Sequence, residues 1–388
     1  MLKKHSGNIV YINYSPYENS GKILDYLLEN FTYVFHFSIG FHNLKNKKSY
    51  NRLLVFKNGE LEDERVLFQL PIPKSLVFLL LPIRSLINFL QIIIYSYWLK
   101  NKYKTIDVYF TVNAFIAWIG NILRGLGIVK KTVFWVWDYY PPIHSSKIIM
   151  LMRYIYWQFD KSSSYSDRVA FVNHRLLNLR KDLGIYDRNA VHPIIPIATD
   201  KLPFKSRKKT DKVDFGFIGV LKVNQGPGIV FDHAHVLLGM IGNFQYHIIG
   251  SGPDEDYLKK RAKESQVDTK FYGYLEGESF NPVLAKCTIG LAPYIPDPNN
   301  VSYYGDPGKI KRYISLGLPV IGTDVLEFSK QIEKARAGII VDFDDAKAFV
   351  AATKKIMSNY GFYSKNAYKL SQKYYYKRVY PEMFNFGY

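Results

Sequence analysis

The sequence predicts two successive α/β domains, each built on a doubly wound parallel sheet. Three observations support this prediction: the length of 388 residues, an apolar share of 48%, and the alternation of short branched or aromatic runs with longer segments of helical period. At about 150 residues per domain, the length corresponds to two or three domains. The alternation is typical of parallel strands joined by crossover helices.

The first half of the chain contains six strand candidates and five helix candidates, which we assign to a first domain over residues 1–200. The expected strands cover residues 9–13, 33–37, 108–111, 132–137, 168–171 and 191–195. The expected helices cover residues 21–30, 75–102, 114–126, 147–164 and 174–183.

The second half repeats the pattern after a basic segment. Residues 201–212 hold six basic residues and one acidic residue without hydrophobic periodicity, which indicates a linker. Strands are expected at residues 213–218, 246–249, 270–272, 289–292, 319–321 and 339–341, within a second domain over residues 213–361. Residues 362–388 are predicted to form a helical tail that packs back on the first domain. Because ligands bind outside the carboxyl ends of parallel strands, we expect the site in the cleft between the domains.

The charge balance favours anionic partners. Lys and Arg number 52 against 33 Asp and Glu, a net charge of +19, so nucleic acid, acidic phospholipid and phosphorylated small molecules are all compatible. The basic cluster from Lys205 to Lys212 is explained more simply as a solvated linker, and no nucleic-acid module is recognisable, so no nucleic-acid partner is expected. The single cysteine, Cys287, excludes an intrachain disulfide and is interpreted as a buried apolar residue.

The most apolar stretch, residues 76–99, leaves two interpretations open. Pro82, Arg84, Asn88 and Gln91 interrupt it, which argues against a transmembrane helix. It is either a buried helix packed on a sheet or an interfacial helix held by nearby basic residues at an anionic bilayer. The N-terminal residues lack the apolar core of a signal peptide, so we expect a cytoplasmic protein, with peripheral contact at the inner face of the cell membrane left open.

Glycine-containing segments after the strands of the second domain suggest anion binding. Gly219 follows the first strand, and Gln225-Gly226 leads into a helix whose N-terminus would attract a phosphate. Gly250-Ser251-Gly252-Pro253 repeats this arrangement at the second strand. A tight turn without any ligand explains either segment equally well.

The segment from Tyr304 to Thr323 is the most informative in the chain. A loop rich in Gly and Pro opens a helix near Pro307, the helix stops at Gly317, and Pro319 begins a buried strand. The amino end of this helix, with Gly305, Gly308 and Lys309, is a second candidate site for an anionic group or for sugar hydroxyls.

The glycine-containing segments just described are accompanied by two more, Tyr272-Gly273-Tyr274 and Ala292-Pro293. In this order along the chain, the segments resemble the donor-binding domain of family 4 of the retaining glycosyltransferases. The resemblance is close over residues 213–345, whereas the first half agrees in layout more than in residues. It implies the GT-B fold, in which two Rossmann-like domains face a central cleft and the C-terminal one holds a nucleotide-sugar. No separate cofactor is implied, since the UDP- or GDP-linked sugar is itself the substrate.

Carried over by position, the resemblance implies diphosphate contacts near Gly219 and Lys222, a base pocket near residues 272–275, and sugar or phosphate contacts over residues 305–309. The donor-binding candidates are Gly219, Gln225, Gly250, Tyr272, Tyr274, Tyr304, Gly305, Asp306, Gly308 and Arg312. Asp306 is either a contact to a sugar hydroxyl or an N-cap before Pro307.

Several positions depart from the family pattern. Many members carry an arginine where this chain has Val220 and a lysine where it has Gln225. Many also carry two glutamates at the positions of Tyr304 and Arg312. We expect Lys222 and Lys309 to supply the missing positive charge and to act as catalytic groups.

The first domain supplies the acceptor-side candidates. Asp138, Tyr139 and His144 follow a predicted strand, and some relatives place similar residues near the donor sugar or the acceptor. Asp138 is the third catalytic candidate, although a polar cap on a buried strand would explain it as well. Tyr14 and Glu18 lie in the loop after the first strand, where Glu18 is otherwise a solvated charge.

No metal-binding pattern is recognisable. His233 and His235 would point to different faces of a helix, and no Asp-x-Asp segment occurs. The resemblance implies transfer of a sugar, with retention, to a hydroxyl of a lipid-linked or polysaccharide acceptor, and the absence of a metal-binding pattern predicts that this transfer is metal-independent. A nucleotide-sugar epimerase of the same fold and a catalytically silent nucleotide-sugar-binding protein are the alternatives.

Overall fold

A computed structural model describes residues 7–14, 20–40, 51–71, 77–141, 143–186, 192–204, 212–275, 279–297 and 301–386. The chain divides into two compact units. The first comprises Met1–Pro196 and Val379–Tyr388, and the second comprises Ile197–Arg378. Each unit contains one sheet with helices packed against it.

The first unit is built on a seven-stranded sheet in the order β4-β3-β2-β1-β5-β6-β7. Its strands are β1 (Asn8–Asn13), β2 (Tyr33–Ser38), β3 (Arg52–Lys57), β4 (Glu60–Val66), β5 (Val108–Thr111), β6 (Lys131–Val136) and β7 (Arg168–Phe171). Its helices are α1 (Ile23–Asn30), α2 (Val77–Tyr103), α3 (Ala114–Gly125), α4 (Lys147–Ser163) and α5 (His174–Asp182). Strands β2, β1, β5, β6 and β7 run parallel, as predicted, and β5 and β7 are buried at every position.

The remaining two strands form an antiparallel hairpin at the edge of this sheet, which the sequence analysis did not predict. β3 pairs with β2 and β4 pairs with β3, both antiparallel. The turn between them is Asn58-Gly59, whose φ values of +51° and +89° are those favoured in tight hairpin turns. β4 contains four acidic residues and one basic residue among seven, so it lacks the apolar alternation by which strands are recognised.

Residues 191–195 were predicted to be a strand and are not one in the described part of the chain. Ile194 forms only an isolated parallel bridge with Phe171 at the end of β7. Residue 191 lies outside the described residues. The backbone bonds of Phe171 and Ile195 hold this segment beside the sheet without continuing it.

One face of helix α2 packs on the unit and the other is exposed, so it is not the fully buried helix of the first interpretation, and the interfacial interpretation stays open. Ile92 and Leu99 belong to a core cluster with residues of β1, β2 and β5. Residues 79–103 of this helix are also long and apolar enough to cross a membrane, judged by length and composition only.

The second unit is built on a six-stranded, fully parallel sheet in the order β10-β9-β8-β11-β12-β13. Its strands are β8 (Asp214–Ile218), β9 (Gln245–Ile249), β10 (Asp268–Phe271), β11 (Ile289–Ala292), β12 (Val320–Gly322) and β13 (Gly338–Ile340). Its helices are α6 (Ile229–Asp232), α7 (Ala234–Ile241), α8 (Glu255–Glu264), α9 (Asn281–Leu284), α10 (Gly308–Ser315), α11 (Ser329–Ala335), α12 (Ala346–Ser358) and α13 (Tyr360–Ser371). All six predicted strands are present, with bounds that coincide for β11 and differ by one or two residues for the others.

The segments at the two ends of the second unit are held to it by side-chain contacts. Leu202, within the predicted linker, accepts a hydrogen bond from the Tyr368 hydroxyl, and Phe204 packs on the ring of Tyr368 at 4.8 Å. Residues 205–211 of that linker lie outside the described residues. After a short helix, α14 (Tyr376–Val379), the last ten residues of the chain belong to the first unit.

Residues 379–386 pack on the face of the first sheet that α1 covers. The ring of Phe384 stacks on Tyr26 of α1 at 5.9 Å, and the Tyr380 hydroxyl donates to the Gly21 carbonyl at 2.7 Å. Arg168 of β7 donates to the carbonyl of Glu382 at 2.8 Å. The terminal segment is therefore part of the core of the first unit.

Candidate functional site

The second sheet reverses its strand order at β8, which makes this strand the centre of the candidate site. β8 pairs with β9 on one side and with β11 on the other. In open α/β sheets, ligands bind outside the carboxyl ends of the strands at such a switch point. The residues that follow β8 and β11 are the segments of Gly219 and of residues 293–309, both singled out from the sequence.

A buried tyrosine of α10 connects these two strands. The Tyr313 hydroxyl accepts a hydrogen bond from the Ile218 N–H at 2.8 Å and donates to the Leu291 carbonyl at 3.2 Å. A Cβ on Gly290 would lie 2.6 Å from the Tyr313 ring, so only glycine leaves room for it. Tyr313 thereby fixes the position of α10 beneath the ends of β8 and β11.

Two close backbone approaches shape the loop that follows β8. A Cβ on Gly226, whose φ is +75°, would lie 1.5 Å from the Pro293 carbonyl oxygen. A Cβ on Gly250, whose φ is +138°, would lie 1.8 Å from the carbonyl oxygen of Gly219. Larger residues cannot occupy these positions without moving the backbone. The glycines bring the loops after β8, β9 and β11 into direct contact.

The backbone N–H groups of the glycines after β8 and β9 are used inside the protein. Gly219 donates to the Ile249 carbonyl at 3.0 Å, and Gly250 donates to the Gly273 carbonyl at 2.8 Å. In the turn from Gly250 to Gly252, the Ser251 carbonyl accepts a hydrogen bond from the Leu221 N–H at 3.1 Å. These two N–H groups are therefore engaged in the turns themselves, and the expected donor contacts near Gly219 and Gly250 stay predictions.

Lys309, in the first turn of α10, places its ammonium at the end of β8. Its Nζ lies 4.4 Å from the ring centroid of Phe217 and 4.5 Å from that of Tyr294. It is also 3.1 Å from the point that a Cβ on Gly219 would occupy. Desolvation in these surroundings lowers the pKa of Lys309 to about 7. In the described part of the chain, no ion pair involves this lysine.

The side chain of Gln225 holds Lys309 in place. Its Oε1 accepts from the Lys309 ammonium at 3.3 Å, and its Nε2 donates to the Ser302 hydroxyl at 2.8 Å. An amide is neutral, so it orients the ammonium without neutralising it. The lysine that many family members carry at position 225 is replaced here by a pair, an amide at 225 and an ammonium from α10.

The start of α10 places backbone N–H donors close to the Lys309 ammonium. The N-cap residue is Pro307, which makes no side-chain capping bond, and Gly308 is exposed. The first N–H groups of any helix have no acceptor within the helix and carry a partial positive charge. Ammonium and helix terminus together form a positively polarised corner that suits a phosphate.

Asp306 does not cap α10, so the N-cap interpretation is wrong. Its carboxylate is 4% exposed, pairs with the fully buried Lys311 ammonium and accepts from the Ile197 N–H at 2.6 Å. The ammonium of Lys311 also lies 4.9 Å from the ring centroid of Tyr374. Burial raises the pKa of Asp306, and the charge of Lys311 opposes this rise. The pair fixes residue 197 against the loop that precedes α10.

Arg312 is turned away from this corner. Its Nη1 lies 2.7 Å from Oδ1 of Asp200, in a pair that is largely buried, and its guanidinium is 5.1 Å from the ring centroid of Phe280. The predicted donor-binding role is not what these contacts provide. They anchor the first residues of the second unit to α10.

The remaining candidates of the second unit lie around these loops. Lys222 is exposed and follows Gly219 by three residues. The Tyr272 hydroxyl bonds Nδ1 of His247 at 2.8 Å, and Tyr274 is exposed. The ring of Tyr304 packs edge to face on Tyr303 at 5.1 Å. Gly305 donates its N–H to the Ser302 carbonyl at 3.0 Å, which closes a tight turn before α10.

The candidates of the first unit separate into a core residue and a surface loop. Tyr14 is 5% exposed and belongs to the core, and its hydroxyl accepts a hydrogen bond from the Asn88 amide at 3.0 Å. The prediction that Tyr14 contacts the acceptor through its hydroxyl is therefore wrong. Asp138 is exposed in the loop after β6, and its Oδ2 accepts from Tyr140 at 3.5 Å. Tyr139 is partly buried in the same loop. His144 is exposed, and its Nδ1 accepts from the Ser146 N–H at 3.0 Å.

Two further predictions concern residues around the site. Glu18 lies outside the described residues. Among the residues that the structure does describe, no three His, Cys, Asp or Glu side chains are grouped so that they could hold a metal ion. Nε2 of His233 lies 2.9 Å from the Phe343 carbonyl oxygen.

Comparison with known proteins places this geometry in a class. Residues 212–359 match the model of the family described as glycosyl transferases group 1. Curated protein sequences give no match. Sucrose-phosphate synthase from Thermosynechococcus elongatus is similar in structure over 97% of each chain, with a TM-score of 0.69 and 15% identity.

Two further solved structures show the same fold. The Anabaena protein HepE, in complex with UDP, matches 97% of this chain and 98% of its own at a TM-score of 0.65 and 14% identity. The lipopolysaccharide outer core galactosyltransferase WaaB, in its apo form, matches 97% of this chain and 98% of its own at a TM-score of 0.58 and 16% identity.

Two Rossmann-like units, a switch-point site in the second and these matches define a glycosyltransferase of the GT-B fold. The family match lies within the second unit, which is the part of the chain that carries the resemblance drawn from the sequence. The resemblance drawn from the sequence is thereby confirmed.

Proposed function

We propose that this nucleotide-sugar transferase moves a sugar from a UDP- or GDP-linked donor to a hydroxyl of a lipid-linked or growing polysaccharide acceptor, without a metal ion. The observation that carries the proposal is the Lys309 ammonium at the end of β8. It is desolvated by two aromatic rings, held by a neutral amide and adjacent to the start of α10. A pyrophosphate would complete the charge balance of this corner.

The reaction places its largest charge change where this corner lies. The bond between the anomeric carbon and the phosphate oxygen breaks, and a bond from the same carbon to the acceptor oxygen forms on the same face. The acceptor proton passes to an oxygen of the departing diphosphate. Protonated Lys309 and the first N–H groups of α10 would stabilise the negative charge that accumulates on this leaving group. We assign Lys222 to the same role from the solvent side.

The other candidates receive roles by their position. Tyr272 and Tyr274 follow β10 and would border the nucleoside, while Tyr304 and Gly305 precede α10 and would border the sugar. Asp138, Tyr139 and His144 of the first unit would orient the acceptor hydroxyl. These roles are proposals that follow from strand ends and family position.

The names of structurally similar proteins support the choice of donor and acceptor. The Anabaena protein has been solved with UDP and with UDP-glucose, which favours a uridine diphosphate sugar. WaaB is described as a galactosyltransferase of the lipopolysaccharide outer core, which favours a glycan built on a lipid. We propose that the transfer takes place in the cytoplasm, because the nucleotide-sugar donor is available there.

Nucleotide binding tests this proposal directly. The melting temperature of the full chain is measured with UDP, GDP, ADP and inorganic pyrophosphate, because a ligand that binds only the folded state raises it. We expect UDP or GDP to stabilise the wild type and to lose most of this effect in Lys309→Met. Absence of stabilisation by every nucleotide would reject the proposed site.

Labelled donor without acceptor then separates transfer from the epimerase alternative. We expect no change in the sugar under these conditions and label transfer when a lipid-linked glycan acceptor is added. Isomerisation of the donor sugar without transfer would favour the epimerase.

A further inference from the structure

Helix α2 exposes an unbroken apolar stripe to solvent. Six large side chains follow one another at spacings of three and four residues, which places them on one face of the helix. Their exposed fractions range from 48% to 72%. They are Leu79, Ile83, Leu86, Leu90, Ile94 and Tyr97. Single exposed apolar residues are ordinary, but a continuous stripe marks an interaction site.

The opposite face of α2 is the one that packs on the protein, and it contains the polar residues. Arg84, Asn88 and Ser96 are 5% exposed or less and alternate with buried Ile92 and Leu99. Arg84 donates to the Gly40 carbonyl, and the Asn88 amide donates to the Tyr14 hydroxyl at 3.0 Å. The helix therefore has the reverse of the polarity expected for a surface helix of a soluble domain.

This arrangement excludes α2 as a membrane span in the folded unit. A span would require Arg84 and Asn88 to leave their partners for hydrocarbon, where unpaired polar groups are costly. Gln91 also bonds the backbone N–H and carbonyl of Phe68 at 2.8 and 3.0 Å. The helix is fixed to the unit along its polar face, so only its apolar face is available to a bilayer.

Helix α4 carries a second exposed apolar stripe. Its members are Ile148, Leu151, Tyr154 and Ile155, with exposed fractions from 48% to 62%. The buried face of α4 includes Asp160, which pairs with Arg180 of α5. Here too, an ion pair lies inside and large apolar side chains lie outside.

Both stripes face the same side of the first unit. An aromatic row joins the three helices, since Trp118 of α3 packs on Phe89 of α2 at 5.7 Å and on Phe159 of α4 at 5.1 Å. Helices α2 and α3 share one core cluster with the sheet. The three helices thus form one layer on one face of the sheet, and the outward sides of α2 and α4 point away from it.

The charges around the stripes favour an anionic partner. Helix α2 contains no Asp or Glu, and the only acidic residue of α4 is the buried Asp160. Exposed lysines border the stripes at Lys104, Lys147 and Lys161, and a fourth, Lys102, lies 3.7 Å from the Asp63 carboxylate of β4. Apolar side chains bordered by lysines match a bilayer surface whose acyl chains lie beneath anionic headgroups.

We propose that the outward faces of α2 and α4 form the surface by which this transferase binds an anionic phospholipid bilayer as a peripheral protein. The side chains of the two stripes enter the headgroup region, and the lysines contact lipid phosphates. The surface would bring the enzyme to a lipid-linked acceptor, and to that extent the proposal rests on the proposed function. Lipid binding itself requires neither donor nor acceptor.

Vesicle flotation with the full chain tests the surface. Vesicles of phosphatidylcholine alone are compared with vesicles that also contain phosphatidylglycerol, at low and high salt. We expect the wild type to float with the anionic vesicles, and Leu86→Ser/Leu90→Ser/Ile94→Ser to partition at least about tenfold more weakly. Lys104→Gln/Lys147→Gln/Lys161→Gln should also bind more weakly and lose much of the salt dependence.

A matched control replaces three exposed apolar residues of the second unit, Met240→Ser/Tyr257→Ser/Phe362→Ser, which are 48–49% exposed against 48–61% for the α2 set, and it should float like the wild type. UDP binding by each variant is measured in parallel. The α2 variant should retain it, whereas Lys309→Met should lose nucleotide binding and still float. Failure of the proposed donor site is thereby separated from failure of the lipid surface.

Three results would overturn the proposal. One is equal flotation of the wild type and the α2 variant. Another is a stable dimer in lipid-free solution that the α2 substitutions convert to monomer, which would assign the stripe to a second copy of the chain. The third is resistance of vesicle-bound protein to extraction at alkaline pH, which would indicate insertion across the bilayer.

Discussion

The ammonium of Lys309 lies 3.3 Å from the side-chain carbonyl oxygen of Gln225. This contact brings together a helix that begins after β11 and a loop that begins after β8. Many family members have a lysine at position 225, whereas here the positive charge comes from Lys309 of α10. Gln225 is neutral, so it can orient that ammonium but cannot bind a phosphate through a charge of its own. The site therefore keeps positive charge despite the missing family residues.

Removal of the Lys309 charge should weaken donor binding. We expect Lys309→Met to raise the Kd for a nucleoside diphosphate sugar at least about tenfold, which corresponds to about 1.4 kcal/mol. The reason is that the ammonium is desolvated and has no competing carboxylate in the described part of the chain. Isothermal titration calorimetry measures the change. Lys263→Met, an exposed lysine of α8, serves as the control and should bind like the wild type.

Donor affinity should fall as the pH rises through 7. Burial lowers the pKa of Lys309 to about 7, so the free protein loses this positive charge between about pH 6 and about pH 8. The Kd for an intact nucleotide-sugar, whose pyrophosphate keeps its charge in this range, should rise by up to about tenfold per pH unit above 7. Lys309→Arg should flatten the profile, because arginine stays charged. A wild-type profile as flat as that of the variant would contradict the assignment.

The same pKa has a consequence for stability. In the unfolded chain Lys309 has its ordinary pKa of 10.5, so between about 7 and 10.5 the unfolded state binds one more proton than the folded state. Stability therefore rises with pH in this window. The free energy of unfolding of the wild type, measured by urea titration, should increase relative to that of Lys309→Met as the pH is raised from 7 to 9.5. A difference that stays constant with pH would show that the lysine is not desolvated.

The Asp306–Lys311 pair should be structural. Asp306→Asn leaves the Lys311 ammonium buried without a counter-charge, and we expect a loss of about 3–5 kcal/mol. Removal of both charges in Asp306→Asn/Lys311→Met should restore much of this stability. Urea unfolding measures all three proteins. The exposed pair of Lys259 and Glu255 in α8 offers the comparison, and Lys259→Met should cost no more than about 1 kcal/mol.

The contact between the loops after β8 and β11 should depend on glycine at position 226. A Cβ there would collide with the Pro293 carbonyl oxygen, so Gly226→Ala should destabilise the protein by at least about 3 kcal/mol. Gly239 lies in the last turn of α7, where an added Cβ would meet nothing within 4 Å. Gly239→Ala should stabilise by about 0.5–1 kcal/mol in urea unfolding, because alanine favours the helix. Equal effects of the two substitutions would refute the steric argument.

The parallel strands could be predicted from sequence because each is a short buried run between polar turns. β5, β7 and β11 are buried at every position, and their predicted bounds coincide with the observed ones. The β3–β4 hairpin was missed because β4 faces solvent and is rich in charge, although Asn58-Gly59 offered a turn signal. Strand recognition by apolar pattern fails wherever a strand has no buried face.

The sequence by itself determined the fold class of this protein, because strand and helix periodicity is a local property that can be read from a single chain. The kind of enzyme came from the resemblance of its glycine-containing segments to a known family. The tertiary structure alone decided which groups meet. It turned Arg312 toward Asp200 and Asp306 toward Lys311, engaged the N–H groups of Gly219 and Gly250 in internal hydrogen bonds, and placed the polar side of α2 inward. These outcomes depend on contacts between residues far apart in the chain, and no local pattern encodes them.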